Sequence, residues 1–243
     1  MIDLNADIGE GYDDAGLMPY LTRASIACGG HTGDARSMEA ALALAAEHGV
    51  AVGAHPSYPD REGFGRRAWA ATPEQIAQWV TQQIEALAEI TARRGMRLVH
   101  IKPHGALYNA AAQQEAIATA IVQAVAEWDA SLVLLGLSGS RLIEAGRAAG
   151  LTVMQEVFAD RRYQSDGQLV SRETPGAVIT DPEIAVTQAD ALAHDQPIVA
   201  LDGSPLRLAA DTLCLHGDTP GAIGIARAVA KAVNRDNAAP LVW

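Results

Sequence analysis

The stretch Ile2-Asp3-Leu4-Asn5-Ala6-Asp7-Ile8 alternates apolar and polar side chains along its whole length. Alternation with a period of two residues predicts a β-strand whose polar side chains share one face. Such a face is costly in a dry core, but it suits the interior of a barrel that opens onto a site. The first strand therefore favours a barrel with a polar pocket near Asp7.

Four further segments place a histidine where a predicted strand ends. They are Ala27-Cys28-Gly29-Gly30-His31, Gly53-Ala54-His55-Pro56, Ile101-Lys102-Pro103-His104-Gly105 and Leu215-His216-Gly217-Asp218. In a parallel α/β barrel all strand carboxyl ends open onto one face, and that face holds the active site. We therefore expect these histidines and Asp7 to converge on one pocket, although they lie far apart in the sequence.

Strands and helices alternate along the rest of the chain. Predicted strands cover residues 25–28, 50–54, 97–101, 132–137, 151–158 and 212–215. Predicted helices begin at Asp34, Thr72, Ser138, Asp181 and Thr219, another spans 112–128, and a hairpin joins 198–201 to 206–209. This alternation predicts a single α/β domain over residues 1–243, with seven or eight parallel strands. A doubly wound open sheet is the alternative, and it would place the site at the same strand ends.

Composition narrows the class of protein. The chain has 243 residues, a formal net charge of −11 and two cysteines, Cys28 and Cys214. The negative charge argues against nucleic acid and anionic membranes as partners. Two cysteines make a disulfide framework improbable and suit a reducing compartment. We find no signal-peptide pattern and no apolar run of membrane-spanning length, so we expect a cytoplasmic protein.

The strand ends carry residues suited to acid–base chemistry. Asn5 and Asp7 share a strand face, and the same spacing relates Lys102 to His104 and His216 to Asp218. Carboxylates can act as bases or orient a histidine, and imidazoles exchange protons near neutral pH. A desolvated lysine supplies a cation for an oxyanion or phosphate. The segment Phe158-Ala159-Asp160-Arg161-Arg162 adds an acid and two guanidinium groups after another strand.

Structural roles compete with these functional ones. A single buried histidine is about as often structural as catalytic, and we assign structural roles to His48, His100 and His194. Arg61, Arg66 and Arg67 are compatible with a solvated loop. The sequence contains no Walker A, G-x-G-x-x-G, H-E-x-x-H or G-x-S-x-G pattern. Common nucleotide loops, helical zinc sites and serine nucleophiles are therefore not indicated.

Six ordered motifs now identify a family. They are DLNADIGE (3–10), ACGGHTGD (27–34), GAHPSYPDR (53–61), KPHGALYN (102–109), EVFADR (156–161) and CLHGDTP (214–220). Together they resemble the LamB/YcsF family, essentially from end to end. Gly30 departs from the pattern, since many relatives are expected to carry a bulkier residue there. The resemblance implies a distorted (β/α) barrel of seven or eight strands, similar to the glycoside hydrolase/deacetylase class.

The resemblance also implies an activity. Bacterial members form the A subunit of 5-oxoprolinase, which opens the lactam of 5-oxo-L-proline to L-glutamate with ATP and Mg²⁺, together with subunits B and C. The candidate catalytic residues are Asp7, His55, Lys102, His104, His216 and Asp218. The candidate substrate- or phosphate-binding residues are Asn5, His31, Arg61, Asp160 and Arg161.

Two alternatives stay open. One is a metal-dependent deacetylase or amidohydrolase with Asp7, His31 and His55 as ligands, and the other is a non-catalytic protein that binds substrate for its partners. Because the candidate ligands lack helical i, i+4 spacing and Lys102 lies close to His104, we expect no tightly bound transition metal. Any Mg²⁺ would then enter with ATP. The sequence leaves a homo-oligomer open.

Overall fold

Seven parallel strands close into a barrel in the computed structural model, which describes residues 2–233. The barrel strands are β1 (Asp3–Ile8), β2 (Arg23–Ala27), β3 (Ala51–His55), β4 (His100–Ile101), β5 (Val133–Leu137), β6 (Val153–Phe158) and β9 (Thr212–Leu215). Two further strands, β7 (Ile198–Val199) and β8 (Pro205–Leu206), lie outside the barrel. β9 pairs in parallel with both β6 and β1, which closes the ring, while β7 and β8 form a separate antiparallel pair. The barrel prediction is confirmed with seven strands, and the open-sheet alternative is wrong.

Helices surround the barrel. They are α1 (Asp14–Leu17), α2 (Ala35–His48), α3 (Pro73–Arg93), α4 (Gly105–Gln113), α5 (Glu115–Asp129), α6 (Arg141–Ala148), α7 (Pro182–Ala193) and α8 (Ala222–Val233). Local sequence explains where two of them begin. Asp34 and Thr72 each cap the backbone of the third helical residue, and Ser37 and Gln75 return the bond to the cap. These capping boxes satisfy amides that the first helical turn leaves unpaired.

Some element boundaries differ from the sequence prediction. The helix predicted over 112–128 corresponds to α5 but begins at Glu115, because Gln114 is extended (φ −111°, ψ 113°), and α4 before it was not predicted. The predicted hairpin is present but its strands have only two residues each. The short helix α1 was not predicted. The prediction of one domain over 1–243 includes Met1 and residues 234–243, which lie outside the described residues.

The polar face of β1 points into the barrel interior and is hydrogen-bonded there. Thr212 donates to Asp3 at 2.6 Å, and the Asn5 amide donates to Thr212 at 2.8 Å. His100 is fully buried, with its Nε2 atom 3.1 Å from the Ser25 hydroxyl, which fits the structural role expected for it. The interior is thus a polar network rather than a dry core. In residues 2–233, no helix combines the length and the apolar character needed to cross a bilayer.

Candidate active site

A cavity of about 440 Å³ lies at the carboxyl ends of the barrel strands. Most of the predicted site residues line it, namely Asp7, His55, Lys102, His104, Arg161, His216 and Asp218. These residues come from the ends of β1, β3, β4, β6 and β9, so parallel strand order brings them together. Asp7 and three of the four strand-end histidines thus meet at one cavity, which His31 does not line.

Lys102 forms the base of the cavity. Its ammonium lies 2.8 Å from Asp7 and 2.7 Å from the fully buried Glu156. It also donates to Asn5 Oδ1 at 3.1 Å and approaches the Cys214 sulfur at 3.2 Å. Burial alone would lower the pKa of Lys102, but Asp7, Cys214 and Glu156 raise it well above its ordinary value. Lys102 is therefore a fixed cation.

Three histidines and one glutamate lie together beside Lys102, with Glu10, His55 and His104 lining the cavity and His31 behind them. The rings of His31 and His104 are stacked with centroids 3.7 Å apart, and His55 meets both edge-on. Glu10 Oε1 lies 2.9 Å from His31 Nε2, 3.4 Å from His104 Nδ1 and 3.7 Å from His55 Nε2. We call these four residues the histidine cluster. Two glycines with positive φ, Gly9 and Gly11, turn the chain after β1 around Glu10.

Backbone carbonyls determine which ring nitrogens of the cluster carry hydrogen. His55 Nδ1 donates to the Lys102 carbonyl at 2.8 Å, and His104 Nε2 donates to the Phe64 carbonyl at 2.9 Å. The other two nitrogens, His55 Nε2 and His104 Nδ1, face each other at 2.9 Å. Two imidazole lone pairs repel at that distance, so a positive species must lie between or on them.

A proton on His55 satisfies this requirement in the protein alone. Burial lowers the pKa of His55, but Asp7, at 3.3 Å, more than reverses the effect and raises it. Burial, with the neighbouring His31 and His55, holds the pKa of His104 well below its usual range. Burial and the repulsion of Asp7 raise the pKa of Glu10.

His216 follows β9, the strand that pairs with β1, and is held by Asp160. Its Nδ1 atom is 2.8 Å from Asp160 Oδ1, and its ring stacks on Phe158 at 5.3 Å. Thr219 donates to the second oxygen of Asp160. Burial raises the pKa of Asp160, but His216 and Thr219 lower it below the ordinary value. An imidazole fixed in this way presents Nε2 to the cavity as a proton acceptor.

Two arginines meet Asp218 at the cavity mouth. Arg66 and Arg172, from separate loops, lie 2.6 and 2.9 Å from the same carboxylate oxygen. Burial raises the pKa of Asp218, whereas Arg172, His216 and Arg66 lower it. Asp218 is thus a paired anion, which weakens its predicted role as a base. Arg161 also lines the cavity, and burial lowers its pKa to about 10.

The other predicted residues lie behind or away from the cavity wall. Asn5 supports Lys102, His31 backs His104, and Asp160 supports His216. Arg61 does not line the cavity, because its guanidinium donates to the carbonyls of Gly29 and Gly33. Its neighbour Arg66, assigned to a solvated loop, reaches the mouth instead.

Sequence reasoning missed Glu10 and Glu156. Both lie inside motifs that the sequence had already distinguished, but neither falls at the end of a predicted strand. Glu156 is the one carboxylate in the predicted strand 151–158, which is a usable signal because a lone buried carboxylate needs a partner. Glu10 offered no such signal, since its position depends on the turn after β1.

The cavity contains donor atoms that suit a cation. One donor atom from each of Glu10, His31, His55 and His104 lies within 4.8 Å of the other three. Asp7, Cys214 and His216 form a second such group among residues 2–233. In the second group Lys102 already contacts both Asp7 and Cys214, so an ammonium takes the position that a metal would need.

Comparison with known proteins gives consistent matches over the whole chain. The chain is 50% identical to the 5-oxoprolinase A subunit of Chloroflexus aggregans (94% of this chain, 93% of that one) and to its namesake in Bordetella pertussis (98% and 97%). The crystal structure of the lactam utilization protein from Thermus thermophilus superposes with a TM-score of 0.90 at 43% identity, covering 96% of both chains. The LamB/YcsF family model matches residues 2–240, and the chain therefore belongs to the LamB/YcsF family.

Proposed function

We propose that this chain is the A subunit of an ATP-dependent 5-oxoprolinase, which opens 5-oxo-L-proline to L-glutamate with partner subunits B and C. One observation carries the proposal. Relatives that are half identical, and that align over more than nine-tenths of both chains, are named as the A subunit of 5-oxoprolinase. The name lactam utilization protein of the Thermus thermophilus relative fits the same substrate class.

The chemistry of the reaction makes demands that the cavity can meet. A five-membered lactam is a resonance-stabilised amide, and phosphorylation of its oxygen by ATP creates a good electrophile. ADP leaves in that step. One water then adds to the carbonyl carbon, and the ring C–N bond breaks as the nitrogen takes a proton, which leaves an acyl phosphate. A second water hydrolyses the acyl phosphate to glutamate and phosphate. These steps need a cation for the oxygen, a base for water and an acid for nitrogen. Mg²⁺ would accompany the ATP phosphates.

Lys102 suits the first requirement. Its charge is buried at the base of the cavity and held in place by Asp7 and Glu156. A fixed cation in a site with little water stabilises a developing oxyanion more than the same charge in solution. We assign Lys102 to the oxygen of the reacting amide.

His216 suits the second requirement, because Asp160 fixes its tautomer and ring orientation. Its Nε2 atom can take a proton from water as the oxygen attacks. The third requirement falls to the histidine cluster, where the pKa of both Glu10 and His55 is raised. Arg66 and Arg172, at the mouth, suit the substrate carboxylate, which would compete with Asp218 for them.

Reconstitution tests the proposal. The chain lacks a recognisable nucleotide loop, so alone it should release little or no glutamate from 5-oxoproline. With subunits B and C from the same organism, glutamate should form in step with ATP hydrolysis. Full turnover by the chain alone, or amide hydrolysis without ATP, would favour the metal-dependent amidohydrolase. If the chain binds 5-oxoproline but no substitution in the cavity changes the turnover of the assembled enzyme, a non-catalytic role is favoured.

A further inference from the structure

The histidine cluster has the geometry of a divalent metal site. Zinc bonds to nitrogen of about 2.0–2.1 Å place tetrahedral ligand atoms about 3.3 Å apart. In the cluster, His31 Nε2 lies 2.9 Å from Glu10 Oε1, and His55 Nε2 lies 2.9 Å from His104 Nδ1. Glu10 Oε1 lies 3.4 and 3.7 Å from the nitrogens of His104 and His55. All four donor atoms lie within 4.8 Å of one another, close enough for a single ion to draw them together.

The hydrogen bonds of the cluster support the same conclusion. Metal-bound histidines usually donate their other ring nitrogen to a carbonyl or carboxylate, which fixes the tautomer. His55 and His104 do so through the carbonyls of Lys102 and Phe64. Gly105 permits the arrangement, because a side chain there would come within 2.5 Å of the Gly65 carbonyl in the same loop as Phe64. The two remaining lone pairs are therefore directed at one point by the backbone.

Charge balance at the base of the cavity favours a dication. Asp7 and Glu156 both contact the Lys102 ammonium, and Glu10 adds a third carboxylate within the histidine cluster. A divalent ion would balance the two negative charges that the Lys102 ammonium does not neutralise. Lys102 contacts Asp7 Oδ1, whereas the cluster faces Asp7 Oδ2, so the ammonium does not occupy the proposed position.

We propose that Glu10, His31, His55 and His104 bind one transition-metal dication of the Zn²⁺ type. Imidazole nitrogen suits Zn²⁺ and its neighbours, whereas Mg²⁺ and Ca²⁺ prefer oxygen ligands alone. This departs from our expectation from the sequence that the pocket binds no transition metal tightly. The site itself does not depend on the proposed function. Its use does, since a metal there would replace the His55 proton that we assign to the ring nitrogen, and would supply a Lewis acid beside Lys102 instead.

Binding of zinc to the chelator-stripped chain tests the proposal without ATP or partners. Calorimetric titration should give one Zn²⁺ per chain, and Mg²⁺ in excess should not displace it. Cobalt substitution should give the visible absorption of a low-coordinate Co²⁺ site. His104→Ala, and the nearly isosteric Glu10→Gln, should each weaken binding by about a hundredfold or more. His194→Ala, an exposed histidine at the carboxyl end of α7, is the matched control and should bind as the natural chain does.

The outcomes separate the two proposals. No stoichiometric binding of Zn²⁺ or Co²⁺ to a folded chain would overturn the metal site, even if the assembled enzyme makes glutamate. Binding that survives both His104→Ala and Glu10→Gln would overturn it as well, because the ion would lie elsewhere. Binding that both substitutions abolish while folding is retained would establish the site, whether or not 5-oxoproline is the substrate.

Discussion

At the scale of single residues, Lys102 is a buried cation held between two buried carboxylates. Its side chain is 3% exposed and its two carboxylate partners, Asp7 and Glu156, are 10% and 0% exposed. Removing one member of a buried ion pair is far more costly than removing a surface pair, because the remaining charge loses its compensation. The residue that we assign to the reacting oxygen is therefore also a structural residue.

Lys102→Met should reduce the free energy of unfolding by about 3–5 kcal/mol, the cost typical of breaking a buried pair. Denaturant titration of both chains measures it. Lys231→Met, at an exposed position on α8, is the control and should change stability little. If Lys102→Met is as stable as the control, the interior carboxylates are not held by this ammonium as described.

Some residues of the site could be predicted from the sequence and others could not. The histidines were predictable because each follows a strand, and parallel strands share one open face. Arg61 and Arg66 were not distinguishable, because both lie in the loop between β3 and α3 and only its path decides which reaches the cavity. Glu10 depends in the same way on the turn after β1. Site residues that directly follow strands could be predicted from sequence, whereas those further into loops need the structure.

At the scale of elements, Gln83 joins helix α3 to the loop after β3. Its side chain accepts from the Ser57 amide at 3.0 Å and donates to the Ser57 carbonyl at 2.8 Å. Gly30 leaves the space for this contact, since a Cβ there would come within 2.2 Å of Gln83 and 2.4 Å of the Ser57 hydroxyl. The side chains of Gln83 and Ser57 thus fill the space beside Gly30.

A double-mutant cycle tests this packing. Gly30→Ala should destabilise the protein through the clash, and Gln83→Ala should cost about 1–3 kcal/mol by leaving the buried Ser57 amide unpaired. The double variant should lose clearly less than the sum, because Gln83→Ala removes the atom that the new methyl meets. Unfolding by denaturant measures all four chains. Strict additivity would mean that Gly30 and Gln83 do not share this space.

The elements themselves were predictable where local chemistry determines them. Capping residues marked the beginnings of α2 and α3, and an apolar run marked β5. The boundary between α4 and α5 was not predictable from the sequence, because neither Gln114 nor its neighbours strongly disfavour a helix. That break follows from where α4 must begin, directly after His104 at the barrel rim. Tertiary position there overrides local propensity.

At the scale of the whole molecule, barrel closure produces the site. β1, β3, β4 and β9 are distant in sequence, and the ring of seven strands brings their ends around one cavity. The cavity has two groups of acid–base residues. One is the histidine cluster next to β1 and β3, and the other is the His216–Asp160 pair, which follows β9 and β6. The proposed reaction uses both, with Lys102 between them.

Glutamate formation by the enzyme reassembled with subunits B and C, measured per folded and assembled copy of this chain, tests this account most directly. His216→Ala and Asp7→Asn should each reduce the rate by at least about a hundredfold, the lower range for losing an acid–base group. The Arg141→Ala control, at an exposed surface pair, should retain full activity. Unchanged activity of correctly assembled His216→Ala and Asp7→Asn enzymes would contradict the claim that this cavity opens the lactam.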